Sequence, residues 1–170
     1  MTNTASSSAT LPSLPPGLTV RPAAVADFEA AERLFRALLG DQFVLDADLF
    51  ASVCDDPGHL ALIAEVENEG VVGIVVGTAN ERIRLAQGKR RFRLHIDQVI
   101  VSPAHRQRGI GRALLEAVIA HVGERAPSYI IVTCDFTNVA ARKTYESAGF
   151  VLVPTGTDRF EMAFDEPPCP

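Results

Sequence analysis

Along this chain the spacing of apolar positions switches between helical and alternating, and each switch marks an element. Residues 1–17 are mainly Ser, Thr, Ala and Pro with little to bury, ending in Pro15-Pro16-Gly17, and predict a disordered tail. Leu18-Thr19-Val20-Arg21 reads as a first strand. Phe28, Ala31, Leu34, Phe35 and Leu38 then recur on one helical face, with Asp27 as cap and Gly40 as stop. A shorter helix is predicted from Asp46 to Asp55, bounded by Asp55-Asp56-Pro57-Gly58. Two β-rich runs follow, 59–66 and 71–79, joined by the turn residues Glu67-Asn68-Glu69-Gly70. Gly73 and Gly77 inside the second run predict close packing or a bulge, and residues 80–90 read as a polar loop.

The next strand, over 92–101, carries a change of phase. Apolar residues sit at Phe92, Leu94 and Ile96, then at Val99 and Val101, so the inward face shifts near Asp97-Gln98. A β-bulge explains this, because one extra residue reverses the facing of everything after it and splays the neighbouring strand away. A strand end buried on both faces, which Ile100 would allow, is the alternative. The run stops at Ser102-Pro103, a short basic loop follows, and apolar residues recur at Ile110, Leu114, Leu115, Val118, Ile119 and Val122 with helical spacing. Residues 128–134 read as a buried fifth strand, and 138–148 as a helix capped by Thr137 or Asn138 and stopped by Gly149. Residues 150–153 and 159–164 form two last strands around Pro154-Thr155-Gly156, and 166–170 are a tail.

Composition narrows the class. The 170 residues suit one domain, placed at 18–165, and 47% apolar with 22% charged residues reads as globular. No apolar run is long enough to span a membrane and no secretory signal is recognisable, so the cytoplasm is the expected compartment. Cys54, Cys134 and Cys169 are odd in number and far apart, as reduced thiols of an intracellular protein would be. His59, His95, His105 and His121 form no ligand cluster, and no metal is expected. A net charge of −5 argues against nucleic acid and favours cationic or neutral substrates. The basic run Lys89-Arg90-Arg91-Phe92-Arg93 reads as a solvated loop entering a strand.

The order strand, basic loop, helix suits an anion. The first N–H groups of a helix have no partner inside it, and the peptide dipoles place about +0.5 charge at that end. Gly109 and Gly111 allow close approach, while Arg106, Arg108 and Arg112 supply cationic donors, so a diphosphate would fit. A tight turn with solvated arginines accounts for the same residues equally well. A dinucleotide fingerprint is disfavoured, since its third glycine would fall at Leu114.

Two longer patterns decide between these readings. Arg106-Gln107-Arg108-Gly109-Ile110-Gly111 matches the (Gln/Arg)-x-x-Gly-x-(Gly/Ala) motif of the GNAT superfamily of N-acetyltransferases. The stretch Asn138-Val139-Ala140-Ala141-Arg142-Lys143-Thr144-Tyr145-Glu146-Ser147-Ala148-Gly149-Phe150 resembles that family's Asn-x-x-Ala…Tyr…Gly-Phe signature, in the family's order and spacing. The resemblance extends from Leu18 to Phe164. It implies an α/β (α+β) fold: a mixed, mostly antiparallel sheet of six to seven strands, flanked by four or so helices, with a bulged fourth strand splayed from the fifth. Acyl-CoA lies in that opening.

By the same resemblance, the protein transfers an acetyl group from acetyl-CoA to a primary amine, of a small molecule or a peptide, by direct attack in a ternary complex. The backbone at Val99, Ile100 and Val101 would pair with the pantetheine arm. The loop from Arg106 through Gln107, Arg108, Gly109, Ile110 and Gly111 to Arg112 would seat the pyrophosphate. Asn138 would bond the cofactor, and Tyr145 would protonate the departing thiolate. Asp97 stands where many family members carry Glu, and is the candidate base, acting directly or through water; pairing with His95 or Arg93 across the strand surface is its other reading. His95 is a weaker substitute base. The helical segment from Asp27 to Asp56 and the loop over 80–90 would shape the acceptor pocket. A non-catalytic acyl-CoA sensor of the same fold is the alternative, and a nucleotide-binding module a third. Oligomeric state stays open, homodimers being frequent in the family.

Overall fold

The computed structural model describes residues 13–84, 90–123, 128–135, 137–154 and 158–163. Residues 1–12 of the tail predicted over 1–17, the tail predicted over 166–170, Phe164 of the last predicted strand, Lys89 of the basic run, and Thr155-Gly156 lie outside these residues. The elements are β1 (Leu18–Pro22), α1 (Phe28–Leu39), α2 (Ala47–Asp55), β2 (His59–Val66), β3 (Gly70–Arg84), β4 (Arg90–Val101), α3 (Ile110–Gly123), β5 (Ser128–Thr133), α4 (Val139–Ser147), β6 (Val151–Pro154) and β7 (Asp158–Ala163). One sheet of seven strands runs in the order β1-β2-β3-β4-β5-β7-β6. Every pairing is antiparallel except that of β4 with β5, which is parallel.

Strand alternation gives the sheet two apolar faces, each covered by helices. On one face Leu60, Leu62, Val75, Leu94, Ile96, Val132 and Phe160 pack with Ile110, Leu114, Val118 and Val122 of α3 and Tyr145 of α4. On the other, Ala61, Ile63, Ile74 and Ile100 pack with Ala31, Leu34 and Phe35 of α1 and Phe50 of α2. The spacing along α3 therefore does what it predicts, its buried residues forming one stripe. Among the described residues, no helix is long and apolar enough to cross a membrane.

Two local expectations are corrected. Of the loop predicted over 80–90, residues 80–84 and Arg90 continue the strands instead, since Asn80↔Arg93, Ile83↔Arg91 and Arg84↔Arg90 extend the β3–β4 ladder, and residues 85–89 lie outside the described residues. A ladder of backbone hydrogen bonds needs no alternating apolar side chains once the hairpin is under way. Arg90 to Arg93 accordingly belong to β4. Asp27 stands at the head of α1 without capping it. Its carboxylate instead accepts the Ala24 N–H at 2.8 Å and the Arg21 guanidinium at 2.9 and 3.0 Å. Asp46 does cap α2, accepting the Leu49 N–H at 2.7 Å.

The phase shift in β4 is a bulge. Gly77 pairs with Ile96 and Val76 with Gln98, leaving Asp97 as the extra residue. Leu94 and Ile96 before it, and Val99 and Val101 after it, therefore all meet the α3 side, while Ile100 meets the α1 side. A Cβ at position 77 would lie 2.7 Å from the His95 carbonyl oxygen, so the backbones at the bulge close in as only glycine permits.

Candidate functional site

The site begins where β4 and β5 part. Their pairing covers Phe92↔Ser128 to Ile96↔Val132 and ends there, while β5 stays bound to β7 through Thr133↔Arg159. Beyond the bulge β4 keeps, among the described residues, only its β3 partner. The Ser102 N–H donates to the Val72 carbonyl at 2.8 Å, so antiparallel alternation turns the backbone of 102, 100 and 98 toward β3. The backbone groups of Val99 and Val101 therefore face the opening. Ile100 does not share in this: its backbone serves β3 and its side chain is buried on the α1 side.

The loop after β4 turns back on the strand it leaves. Arg106 Nε donates to the Val101 carbonyl at 3.2 Å, so that carbonyl is already engaged and Val101 offers the opening its N–H alone. Gln107 and Gly109 take positive φ, 62° and 76°, which turns successive N–H groups toward one point. The Ala113 N–H is the first in this stretch to find its helical acceptor, Gly109 at 3.0 Å. Ahead of it the N–H groups of 107–112 have no acceptor among the described residues, which leaves six donors at the positive end of α3.

The arginines divide their work. Arg112 turns down the helix to Glu116 at 2.7 Å, Arg106 braces the strand, and Arg108 is exposed at the loop tip. Arg106 and Arg112 thus each engage Nε within the protein, and Arg108 stands exposed beside the amides. Ile110 buries its side chain, contributing only its N–H. Gly111 brings α3 against α4, where a Cβ would stand 3.3 Å from Thr144 Cγ2.

Across that contact stands α4. Asn138 caps it, its side-chain oxygen accepting the Ala141 N–H at 3.1 Å, which leaves the amide NH2 of an exposed side chain for other partners. Tyr145 is buried, its ring edge-on to Phe160 at 5.4 Å and tilted against Phe150 at 6.2 Å. Burial pushes its phenol up to about 12, with the Cys134 sulfur acting in the same direction. A phenol so placed keeps its proton through neutral pH.

On the opposite side of the sheet, the bulge carries a polar group. Asp97 Oδ1 lies 2.8 Å from His95 Nδ1, and its Oδ2 accepts the Thr78 hydroxyl at 2.8 Å. Thr78 pairs with His95 in register, and strand alternation puts both on the α1 side, next to the opening. The pairing of Asp97 with His95, read in the sequence as the other explanation of this aspartate, is thus present. Thr78 was not singled out in the sequence, where nothing marks it. Only the register across the bulge brings it to the carboxylate.

The profile of the acetyltransferase (GNAT) family matches residues 26–150. The chain belongs to that family. This is an acetyltransferase of the GNAT type. No curated protein sequence matches it closely enough to name. Among solved structures it resembles Arabidopsis thaliana NAA60, crystallised with a bisubstrate analogue, at 16% identity and a TM-score of 0.72, over 87% of this chain and 99% of that one. It resembles yncA from Salmonella typhimurium, solved with its cofactor acetyl-CoA, at 22% identity and a TM-score of 0.64, over 90% and 97% of the two chains. An aminoglycoside acetyltransferase from an uncultured soil metagenomic sample, in complex with sisomicin, matches at 19% identity and a TM-score of 0.65, over 78% and 88%. At such identities the likeness speaks to the fold, and the GNAT chain's own residues must carry its chemistry.

Proposed function

We propose that this GNAT protein is an N-acetyltransferase that moves the acetyl group of acetyl-CoA directly onto a primary amine of a small molecule or peptide. The observation that carries the reading is the opening between β4 and β5. It has the free backbone of Val99 and the Val101 N–H on its strand edge, the amides of 107–112 at one end and Asp97 at the bulge. In this reading the amides and Arg108 hold the diphosphate, Val99 and Val101 pair with the pantetheine arm, and the Asn138 amide donates to the cofactor. Tyr145, protonated at neutral pH, supplies a proton to the departing thiolate. Asp97 serves the proton of the attacking amine. Holding the two reactants together can supply roughly 7 to 11 kcal/mol, against a factor of about 10² to 10⁴ from acid or base, so positioning dominates.

Isothermal titration with acetyl-CoA tests the donor, and thiol release across peptide, lysine, polyamine and aminoglycoside acceptors tests the transfer. Saturable binding with thiol release from at least one amine class is expected. Absence of acetyl-CoA binding would sink the reading, and binding without release from any amine would favour the sensor.

A further inference from the structure

We propose that His95, oriented by Asp97, takes the proton of the acceptor amine, and that Asp97 acts through this imidazole instead of on the amine. The proposal rests on the acetyltransferase reading. An ionised carboxylate can only accept, so at 2.8 Å from Asp97 Oδ1 the proton of the neutral ring sits on Nδ1. The lone pair is then on Nε2, the nitrogen turned away from the aspartate. The other carboxylate oxygen is taken by the Thr78 hydroxyl at 2.8 Å. Both oxygens of Asp97 thus have donors already, which suits an orienting group better than a proton acceptor.

The placement agrees with this division. His95 pairs with Ile131 one step before the β4–β5 ladder ends, so its side chain stands beside the first unpaired residue of the opening. It points to the α1 side of the sheet, opposite the α3 side from which the amides of 107–112 address the same opening. An amine entering from the α1 side meets His95 there. With its side chain 41% exposed, the ring is reachable while Nδ1 stays tied. An imidazole is also the side chain most often used to move a proton in catalysis.

In the step itself the amine nitrogen bonds the acetyl carbon, and its proton passes to His95 Nε2. The C–S bond breaks, and the sulfur takes the Tyr145 hydroxyl proton. Solvent returns a proton to Tyr145 as His95 gives its own up. The net products are the N-acetyl amine and the thiol.

Acetyl-CoA with glycinamide as acceptor, followed by thiol release, measures the step, and ¹⁵N-histidine spectra at neutral pH report the tautomer of His95. His95→Ala should lower kcat by about 10² or more, and added imidazole should restore part of it. Asp97→Asn should lower kcat less, gain nothing from imidazole, and shift the His95 proton from Nδ1 to Nε2, because the new amide can donate to Nδ1. A wild-type His95 protonated on Nε2 overturns the proposal, whether or not glycinamide is a good acceptor. So does wild-type turnover in His95→Ala. An Asp97→Asn loss as deep as that of His95→Ala, with no imidazole rescue, also overturns it, since the carboxylate would then act directly. Titration of acetyl-CoA into all three proteins separates the two levels: loss of binding in the wild type defeats the acetyltransferase reading, whereas intact binding leaves the fault with the dyad.

Discussion

Replacing Gly77 by alanine tests the feature that opens the sheet. The added Cβ would lie 2.7 Å from the His95 carbonyl oxygen, 3.3 Å from Leu94 Cδ1 and 3.4 Å from Ile96 Cα. Carbon and carbonyl oxygen ordinarily approach to about 3.3 Å, so roughly 0.6 Å must be found, and the blocking atom is backbone. Forced repacking of this kind costs about 1–3 kcal/mol, and alanine returns about 0.5–1 kcal/mol through its smaller conformational entropy. A net loss of about 1–2 kcal/mol follows, or a fall in Tm of about 2–8 °C for a protein of this size. Gly73 is the control. Its Cβ would meet the Ile100 carbonyl at 3.1 Å, but Leu114 Cδ1 at 3.2 Å and Ile110 Cγ2 at 3.4 Å are side-chain ends that can give. Gly73→Ala should therefore lose less. Thermal and urea unfolding followed by circular dichroism rank the two. A Gly77→Ala protein as stable as the wild type, or more stable than Gly73→Ala, would show that the bulge is not held by this contact.

Gly109→Glu combines a side chain at φ 76° with a negative charge at the amide cluster, and should weaken acetyl-CoA binding by at least about 10² in calorimetry, with the far-ultraviolet spectrum unchanged. Tyr145→Phe should reduce kcat by about 10² with little change in acetyl-CoA affinity, measured by thiol release and titration. Because folded Tyr145 holds its proton up to about 12 and the unfolded chain releases it near 10, the wild type loses stability as pH rises through that interval. Tyr145→Phe should lose less in urea melts over the same range. The Arg21 guanidinium, with the Ala24 N–H, holds the Asp27 carboxyl below the usual carboxylate range. Its stabilisation is full above the unfolded value of about 3.9 and fades as pH falls through the folded one. Asp27→Asn should thus lower stability by about 1–2 kcal/mol at neutral pH, a difference that shrinks in urea melts taken at acid pH.

Much of the fold was legible because burial writes a period into the chain. The stripe Ile110, Leu114, Leu115, Val118 and Val122 is buried as its spacing requires, and the slip from Leu94 and Ile96 to Val99 and Val101 is absorbed by an extra residue, the first of the two explanations it allowed. Where burial stops, so does the signal. Residues Asn80 to Arg84 are polar on the whole, yet backbone pairing with Arg90 to Arg93 keeps them in strand. Asp27 looked like a helix cap from its place before Phe28. Arg21, six residues upstream, competes for the same carboxylate across the β1–α1 turn, a contact that no local pattern encodes.

The site divides along the same line. Its phosphate end is built from backbone, and glycine spacing plus a helix start is enough to write it in sequence; the side chains around it are not so constrained. Arg112 has Glu116 one turn ahead, an i,i+4 pair already visible in the sequence that engages its Nε. Arg106 reaches Val101 only because the loop folds back on its strand. At the bulge finer geometry decides. His95 and Asp97 were visible as neighbours two residues apart, but their order of action depends on which ring nitrogen meets the carboxylate and on what holds the second carboxylate oxygen. Thr78 supplies that hold from β3, and it reaches Asp97 because the extra residue keeps His95 in register with Thr78 while turning Asp97 back toward both. The insertion that parts β4 from β5 is thus also what assembles the polar group beside the gap, and a variant that repairs the bulge, closing the ladder beyond Ile96, should lose the opening and the His95–Asp97 contact together.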